Sequence, residues 1–444
     1  MHGRHRRRKL TYVENLRPRM IAVRFCHEQA QCTRQRVLVA GIDDVRHDRG
    51  DECKGFLEAS GSFQRGGPMQ GIFRFGAARY VVALFLLVQC NVSHSQEKLV
   101  SQEQEGIRWF DIRQLGVEGQ GWTENKSPYD RLPAKAEGKV RDVVWGLSRD
   151  SAGMCVRFVT DATTLHARWT LTKAKLEMPH MAATGVSGLD LYAKDDKGRW
   201  RWVAVGKPTA QTNTQKLADG ITAGKREYMI YLPLYNGVTS VEIGVPPANS
   251  IEKAPAYASD RVKPIVFYGT SITHGACASR PGMVHTAILG RKYGRPIINL
   301  GFSGNGRMEP EVTALIAELD AAVYVIDCCP NLGGAETAKL TKPLVQQLRA
   351  ARPDTPIVLV EDRVYTDAWL IASKQSRNDG NHASLKKSFD ELIAAGTKQL
   401  HYIPGSDLLG DDNDGAVDSS HPNDLGFARQ AEAFDKVLGP LVTK

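Results

Sequence analysis

The chain has 444 residues, of which 42% are hydrophobic and 24% charged, and its mean hydropathy is −0.32. These values are typical of a globular protein with more than one core, and they exclude a collagen, a coiled coil, a low-complexity chain and a polytopic membrane protein. The net charge of +9 would suggest a nucleic-acid partner, but residues 1–68 carry +6 and residues 69–95 carry +2. The rest of the chain is nearly neutral, so we expect no nucleic-acid partner.

Residues 69–95 have the order of a secretory signal peptide. Two arginines precede the apolar run 80–88, which is too short to span a bilayer, and small residues follow before Gln96. Because such a signal acts at a nascent N-terminus, we predict that residues 1–68 are an over-extended, disordered start. A genuine basic presequence and a signal-anchor are the alternatives. We expect a secreted or periplasmic protein with no stable membrane span after cleavage.

Between residues 96 and 258 the sequence favours short β-strands. β-branched and aromatic residues are frequent, and clusters of Gly, Pro, Asp and Asn separate the apolar stretches. The predicted strands are 140–145, 154–159, 165–171, 201–205, 228–232 and 238–244. This pattern predicts an all-β sandwich, jelly-roll-like or similar, which residues 246–255 link to the next domain.

From residue 259 to residue 444 short apolar runs alternate with helical stretches. The predicted strands are 262–268, 297–299, 322–327, 357–361 and 400–403. The predicted helices are 283–293, 309–319, 335–351, 381–395 and 424–438. Strict alternation of strand and helix predicts a doubly wound parallel sheet, whose functional residues lie in loops at the carboxyl ends of the strands.

Several of these strand ends carry chemically useful residues. Ser271 follows the first strand, a glycine-rich loop with Gly304 follows the second, and Asn331 follows the third. Near the C-terminus Asp418 precedes His421 by three residues, a spacing that allows the carboxylate to orient the imidazole. Together they supply a nucleophile, a base, an orienting carboxylate and oxyanion donors.

These four segments resemble, in order and spacing, the four sequence blocks of the SGNH (GDSL-type) hydrolases. The resemblance covers residues 262–444 and implies a flavodoxin-like three-layer α/β/α domain. It implies that Ser271 is the nucleophile, that His421 acts as general base and then acid, and that Asp418 is the partner of His421.

The same resemblance implies an oxyanion hole made of the Ser271 amide, Gly304 and Asn331. Two positions depart from the family pattern. Thr270 stands where the family has an aspartate before the serine, and Asp327-Cys-Cys-Pro-Asn331 replaces the usual Gly-x-Asn-Asp block. Because the asparagine itself is retained, the departures affect only the backbone conformation expected around it.

The segment Gly188-Leu-Asp-Leu-Tyr192 resembles the GxDLY-type β domain that precedes one SGNH subgroup. The combined resemblance implies a secreted serine esterase that removes acyl groups, commonly acetyl, from carbohydrate and requires no cofactor or metal. A lipid or aryl esterase is the second interpretation. A carbohydrate-binding protein with a relic hydrolase domain is the third, although the complete set of triad residues favours an enzyme.

Other residues near these motifs have two interpretations each. His274 is a candidate substrate contact or an outward-facing loop histidine, and Arg280 is a candidate substrate contact or the partner of a carboxylate. Cys277 and the Cys328–Cys329 pair are expected on adjacent loops, where they form either a disulfide or buried free thiols. The acidic segment 411–414 lacks the spaced glutamate of a calcium loop, so a solvated turn is expected there.

Overall fold

The computed structural model describes residues 99–443. The predicted extension 1–68 and the predicted signal peptide 69–95 lie outside the described residues. Within the described range no helix is both long enough and apolar enough to cross a membrane.

The N-terminal part of the described chain contains two antiparallel sheets and two short helices. Its strands are β1 Gln102–Gln104, β2 Ile107–Asp111, β3 Val117–Glu118, β4 Cys155–Thr160, β5 Leu165–Leu171, β6 Leu189–Lys194, β7 Trp200–Gly206, β8 Thr212–Ala218, β9 Arg226–Tyr231, β10 Val238–Val245 and β11 Ile251–Lys253. Its helices are α1 Asp142–Ser148 and α2 Ala183–Val186. One sheet has the order β1-β2-β10-β5-β8 and the other the order β11-β4-β9-β6-β7, with β3 paired to β4.

The two sheets share one hydrophobic core, which explains the alternating pattern of their strands. In β5 the residues Leu165, Ala167, Trp169 and Leu171 are buried, whereas the residues between them are partly exposed. Side chains of β2, β4, β6, β9 and β10 complete this core. The predicted all-β character of this region is therefore confirmed, and the jelly-roll connectivity stays a prediction.

Two details of the sequence prediction for this region are wrong. Residues 140–145 were expected to form a strand because of their β-branched residues, but residues 142–148 form α1. Val140 precedes α1 and Val144 lies within it, and both pack into the core of the following domain, a tertiary contact that overrides local strand preference. The predicted linker also contains β11, which pairs with the edge of β4.

The C-terminal part is a parallel sheet with helices on both faces. Its strands are β12 Ile265–Gly269, β13 Ile297–Gly301, β14 Val323–Asp327, β15 Ile357–Val360 and β16 Leu400–Ile403. Its helices are α3 Ser271–His274, α4 His285–Tyr293, α5 Pro310–Ile316, α6 Gly334–Ala351, α7 Ala372–Ala394 and α8 Asp424–Val442. The sheet order β13-β12-β14-β15-β16 is the flavodoxin-like order 2-1-3-4-5.

Separate hydrophobic cores cover the two faces of this sheet. Helices α5, α6 and α7 contribute to one core, and α4 and α8 contribute to the other. Helix α7 begins nine residues before the predicted start at residue 381. The prediction missed its first turns because they are polar and show no hydrophobic periodicity. The chain order reverses between β12 and β14, which is the point where ligands bind in sheets of this type.

The two parts meet through buried contacts. Met181 and Leu234 of the β part pack with Ile272, Val284 and Phe427 of the α/β part. This shared core lies directly behind the segment that carries Ser271, so the β part supports the candidate site.

Candidate active site

Ser271 lies at the sharp turn between β12 and α3. Thr270 caps α3, because its hydroxyl accepts a hydrogen bond from the backbone N–H of Ile272 at 3.2 Å. The turn is tight: a side chain at Gly269 would place Cβ 2.0 Å from the Thr273 hydroxyl oxygen. The threonine at position 270 thus provides the helix cap that an aspartate would otherwise provide.

Ser271, His421 and Asp418 form a continuous chain of hydrogen bonds. The Ser271 Oγ lies 2.8 Å from His421 Nε2, and His421 Nδ1 lies 2.8 Å from Asp418 Oδ2. Asp418 Oδ1 accepts from the backbone N–H of His421 at 2.8 Å and of Ser420 at 3.1 Å. With the Nδ1 proton directed at the carboxylate, Nε2 is left as the acceptor for the serine proton.

The environment of Asp418 keeps its carboxylate ionised. Partial burial acts to raise its pKa, but hydrogen bonds from the backbone and side chain of His421 outweigh this, and the pKa lies below its usual value. An ionised Asp418 can stabilise the positive charge that His421 acquires when it takes a proton.

Two backbone N–H groups near Ser271 are available for a ligand. Among residues 99–443 no acceptor pairs with the N–H of Ser271 or of Gly304. Gly304 adopts a φ of +68°, a conformation that glycine reaches without strain. The backbone of the next glycine, Gly306, packs closely against the end of β12, because a Cβ at this position would lie 1.9 Å from the Gly269 carbonyl oxygen.

Asn331 joins this loop from the end of β14. When its amide is oriented to satisfy both neighbours, the side-chain oxygen accepts from the N–H of Asn305 at 3.0 Å and of Gly306 at 3.2 Å. In this orientation the Asn331 side chain fixes the backbone of the loop that contains Gly304. Arg141 braces the same loop from the β part, because it donates to the Asn305 side chain at 2.8 Å and to the Asn305 carbonyl at 2.9 Å.

Comparison with known proteins identifies the family of the chain. The model of the GDSL-like lipase/acylhydrolase family matches residues 262–439, and that of the N-terminus of SGNH-hydrolase-type esterases matches residues 107–251. A crystal structure from Bacteroides ovatus ATCC 8483, assigned as a GDSL-like lipase, is 32% identical over 76% of this chain and 98% of that chain, with a TM-score of 0.72. The chain belongs to the GDSL-like lipase/acylhydrolase family.

Two further structures share the fold of this acylhydrolase. The salicylyl-acyltransferase SsfX3 of a tetracycline biosynthetic pathway is 20% identical over 78% of this chain and 97% of that chain, with a TM-score of 0.59. A family two carbohydrate esterase from Cellvibrio japonicus is 13% identical over 78% of this chain and 98% of that chain, with a TM-score of 0.50. A search of curated proteins found no match.

His274 does not reach the crevice. Its side chain has no exposed surface, its Nε2 lies 2.7 Å from the Leu234 carbonyl oxygen, and its ring stacks on Tyr235 at 4.1 Å. Burial and the neighbouring Arg131 hold its pKa well below the usual value, so the imidazole is neutral. Both sequence interpretations of His274 are therefore wrong, because the residue is part of the contact between the two parts of the chain.

Arg280 pairs with a carboxylate, as in the second of its two sequence interpretations. Its Nη1 donates to Asp190 Oδ2 at 2.9 Å, and its guanidinium lies over the rings of Tyr192 and Trp202. Asp190 is fully buried and also accepts from the backbone N–H of Gly282 at 2.8 Å. The aspartate of the GxDLY segment thus joins the β part to the loop that follows α3.

The four described cysteines are buried free thiols. Of the two alternatives for Cys277 and the Cys328–Cys329 pair, buried thiols are therefore confirmed and the disulfide is wrong. Cys328 Sγ points back to the Tyr268 carbonyl oxygen at 3.6 Å, inside the α/β core. Cys277 instead lies beside the triad, and burial together with the nearby Asp418 raises the pKa of its thiol to about 12.

Two residues in segments that contact the Asp418–His421 region were not predicted from the sequence. His180, from the turn between β5 and α2, places its ring 5.9 Å from that of His421. Trp369 precedes α7 and is 74% exposed, in a segment whose Thr366 donates to the Ser419 carbonyl at 3.0 Å. Neither residue stands in a recognisable motif, and only the tertiary fold brings them to the triad segment.

A buried arginine supports the site from the β part. Arg131 is 1% exposed and donates to the carbonyl oxygens of Asp150 at 2.8 Å and Gly301 at 2.7 Å. Its guanidinium lies over the Phe302 ring at 5.2 Å, directly before the Gly304 loop. Burial lowers its pKa to about 10, so the group stays charged at neutral pH.

Proposed function

We propose that this acylhydrolase is a secreted serine esterase that releases acetyl groups from acylated carbohydrate. The observation that carries the catalytic part is the chain of 2.8 Å contacts from Ser271 through His421 to Asp418 at the switch point of the sheet. Such a chain of nucleophile, base and orienting carboxylate is the requirement for nucleophilic attack on an ester.

In the proposed mechanism Ser271 Oγ attacks the ester carbonyl while His421 Nε2 takes the serine proton. Asp418 stabilises the resulting imidazolium, which then protonates the leaving alcohol. Water, deprotonated by the same imidazole, attacks the acyl-serine and releases the acid. The unpaired N–H groups of Ser271 and Gly304, with the Asn331 amide, would hold the oxyanion in both halves of the reaction.

Carbohydrate is favoured as the alcohol part of the substrate by Trp369. Its exposed indole belongs to a segment that is hydrogen-bonded to the triad segment, and an exposed aromatic face of this kind suits the apolar face of a sugar ring. The carbohydrate esterase from Cellvibrio japonicus that shares this fold provides a precedent for such a substrate on this framework.

The test compares acetate release from acetylated xylan and other acetylated glycans by the wild type and by Trp369→Ala. We expect the variant to lose activity on polymer but to keep its activity on p-nitrophenyl acetate. Trp122→Ala is the matched control, because Trp122 bonds to Glu318 near the amino edge of β14, away from the triad. Failure of the wild type to release acetate from any glycan would overturn the carbohydrate assignment.

A lipid or aryl ester is the second candidate, and one observation favours it. Leu370, Ile371 and Val417 are large apolar residues that are at least 37% exposed, and they lie in the same two segments around the triad. An apolar rim of this kind suits a long acyl chain. A rise in kcat/KM with acyl length in a series of p-nitrophenyl esters would favour this candidate over a deacetylase.

Secretion is the remaining part of the proposal and depends on residues 69–95 alone. The N-terminal sequence of the native protein outside the cell tests it, with Gln96 as the expected first residue. A native N-terminus within residues 1–68 would contradict it.

A further inference from the structure

Three side chains with metal-binding atoms meet beside the triad. One ligand atom each of His180, Cys277 and His421 lies within 4.8 Å of the other two. His180 is exposed, whereas Cys277 is buried and His421 is partly buried. The cluster therefore faces the crevice and is open to solvent on one side.

Local contacts fix the positions from which these three side chains extend. The Met178–Met181 turn that carries His180 is closed by two reciprocal 3.0 Å hydrogen bonds, and Met181 is anchored in the core between the two parts of the chain. Cys277 has a φ of +71°, unusual for a residue with a side chain, so its conformation is imposed by the surrounding structure. His421 is oriented by Asp418.

The donor set is that of a zinc-type site. Two imidazoles and a thiol are the preferred ligands of Zn²⁺, whereas Mg²⁺ and Ca²⁺ require oxygen. The Asp418–His421 hydrogen bond reproduces the carboxylate–histidine pair that commonly orients a metal-binding imidazole. Metal–ligand distances near 2.0–2.3 Å require the three atoms to draw closer than 4.8 Å, which the exposed His180 can allow.

We propose that His180, Cys277 and His421 bind a thiophilic divalent cation such as Zn²⁺, and that binding switches the hydrolase off reversibly. The metal takes the Nε2 lone pair of His421, while Nδ1 keeps its proton toward Asp418. Cys277 binds as a thiolate, and its proton leaves to solvent. Ser271 thereby loses the base that accepts its proton, so ester hydrolysis stops until the metal is removed.

The test titrates the metal-free full chain with Zn²⁺ and follows both metal binding and p-nitrophenyl acetate hydrolysis. Binding is measured by competition with a chromogenic zinc indicator. We expect one Zn²⁺ per chain, inhibition that follows site occupancy, and full recovery after addition of a chelator. Mg²⁺ at the same concentrations is expected to have no effect.

The variants His180→Ala and Cys277→Ser identify the ligands. Each rate is normalised to the metal-free rate of the same variant, and thermal melting confirms folding. We expect each substitution to weaken Zn²⁺ binding and inhibition about tenfold or more. The matched controls His166→Ala and Cys155→Ser, which remove an imidazole and a thiol of the β part outside the cluster, should bind Zn²⁺ as the wild type does. Wild-type binding by both cluster variants would overturn the proposal.

A readout without enzymatic activity separates this proposal from the proposed function. Co²⁺ added to Ser271→Ala should produce a thiolate-to-cobalt absorption band that disappears in Ser271→Ala/Cys277→Ser. Absence of the band, or its persistence in the double variant, would overturn the metal site whatever the esterase assays show. Presence of the band in a protein that hydrolyses no ester would instead overturn the proposed function alone.

Discussion

Asp327 is the most informative residue for a test of the energetics around the site. It ends β14, is 3% exposed, and accepts a hydrogen bond from the Thr273 hydroxyl at 3.0 Å. Burial raises the pKa of its carboxyl to about 7, with a further contribution from nearby Asp362. The folded protein therefore binds a proton at this position at pH values where the unfolded chain has released it.

The sign of the pH effect follows from this difference. Between about pH 4 and pH 7 the folded state holds more protons than the unfolded state, so the free energy of unfolding falls as pH rises through this range. At 1.36 kcal/mol per pKa unit, Asp327 is expected to lower the stability by about 3 kcal/mol between pH 5 and pH 8. Asp327→Asn removes the titration and keeps an oxygen that can accept from Thr273.

Urea unfolding at pH 5 and pH 8, followed by tryptophan fluorescence, tests this prediction. The difference in unfolding free energy between Asp327→Asn and the wild type should increase by on the order of 3 kcal/mol from pH 5 to pH 8, in favour of the variant. The other titrating groups contribute equally to both proteins and therefore cancel. Asp320→Asn is the matched control, since Asp320 is an exposed carboxylate that pairs with Lys263. Parallel pH profiles for the wild type and Asp327→Asn would show that the carboxyl group of Asp327 does not have a raised pKa in the folded protein.

Three further substitutions test the support of the site. Asp418→Asn keeps an oxygen that accepts from the backbone N–H of His421 but places an NH₂ group opposite Nδ1. We expect kcat, measured by steady-state kinetics, to fall about 10³- to 10⁴-fold. The melting temperature, measured by calorimetry, should be unchanged. Asn331→Ala removes one oxyanion donor and should lower kcat about 10²- to 10³-fold with little change in KM. Arg131→Met leaves buried carbonyl groups unpaired and should cost about 3–5 kcal/mol in urea unfolding; a loss below 1 kcal/mol would contradict its supporting role.

The parallel sheet was predictable because its strands are buried on both faces. The strand Val323–Asp327, for example, is buried at every position, and its first four residues appear in the sequence as a continuous apolar run. The nearness of Ser271 to Asn331 follows from the same topology, since both follow strands that are neighbours at the switch point.

Features that depend on contacts between the two parts of the chain were not predictable. Residues 140–145 favour a strand locally, but residues 142–148 form a helix whose Val144 packs into the α/β core. His274 follows Ser271 by three residues, which suggested a place in the crevice, but in the short α3 its side chain lies against Leu234 of the β part. His180 lies 241 positions before His421, and no local pattern relates the two.

The rate of acetate release by Ser271→Ala shows most directly whether Ser271 is the nucleophile. If Ser271 is the nucleophile that His421 activates, the rate falls by about 10⁴-fold or more while the melting temperature stays unchanged. Ser406→Ala, which alters an exposed serine beside Asp407, is the control for the substitution itself. Hydrolysis by Ser271→Ala at the wild-type rate would contradict the account.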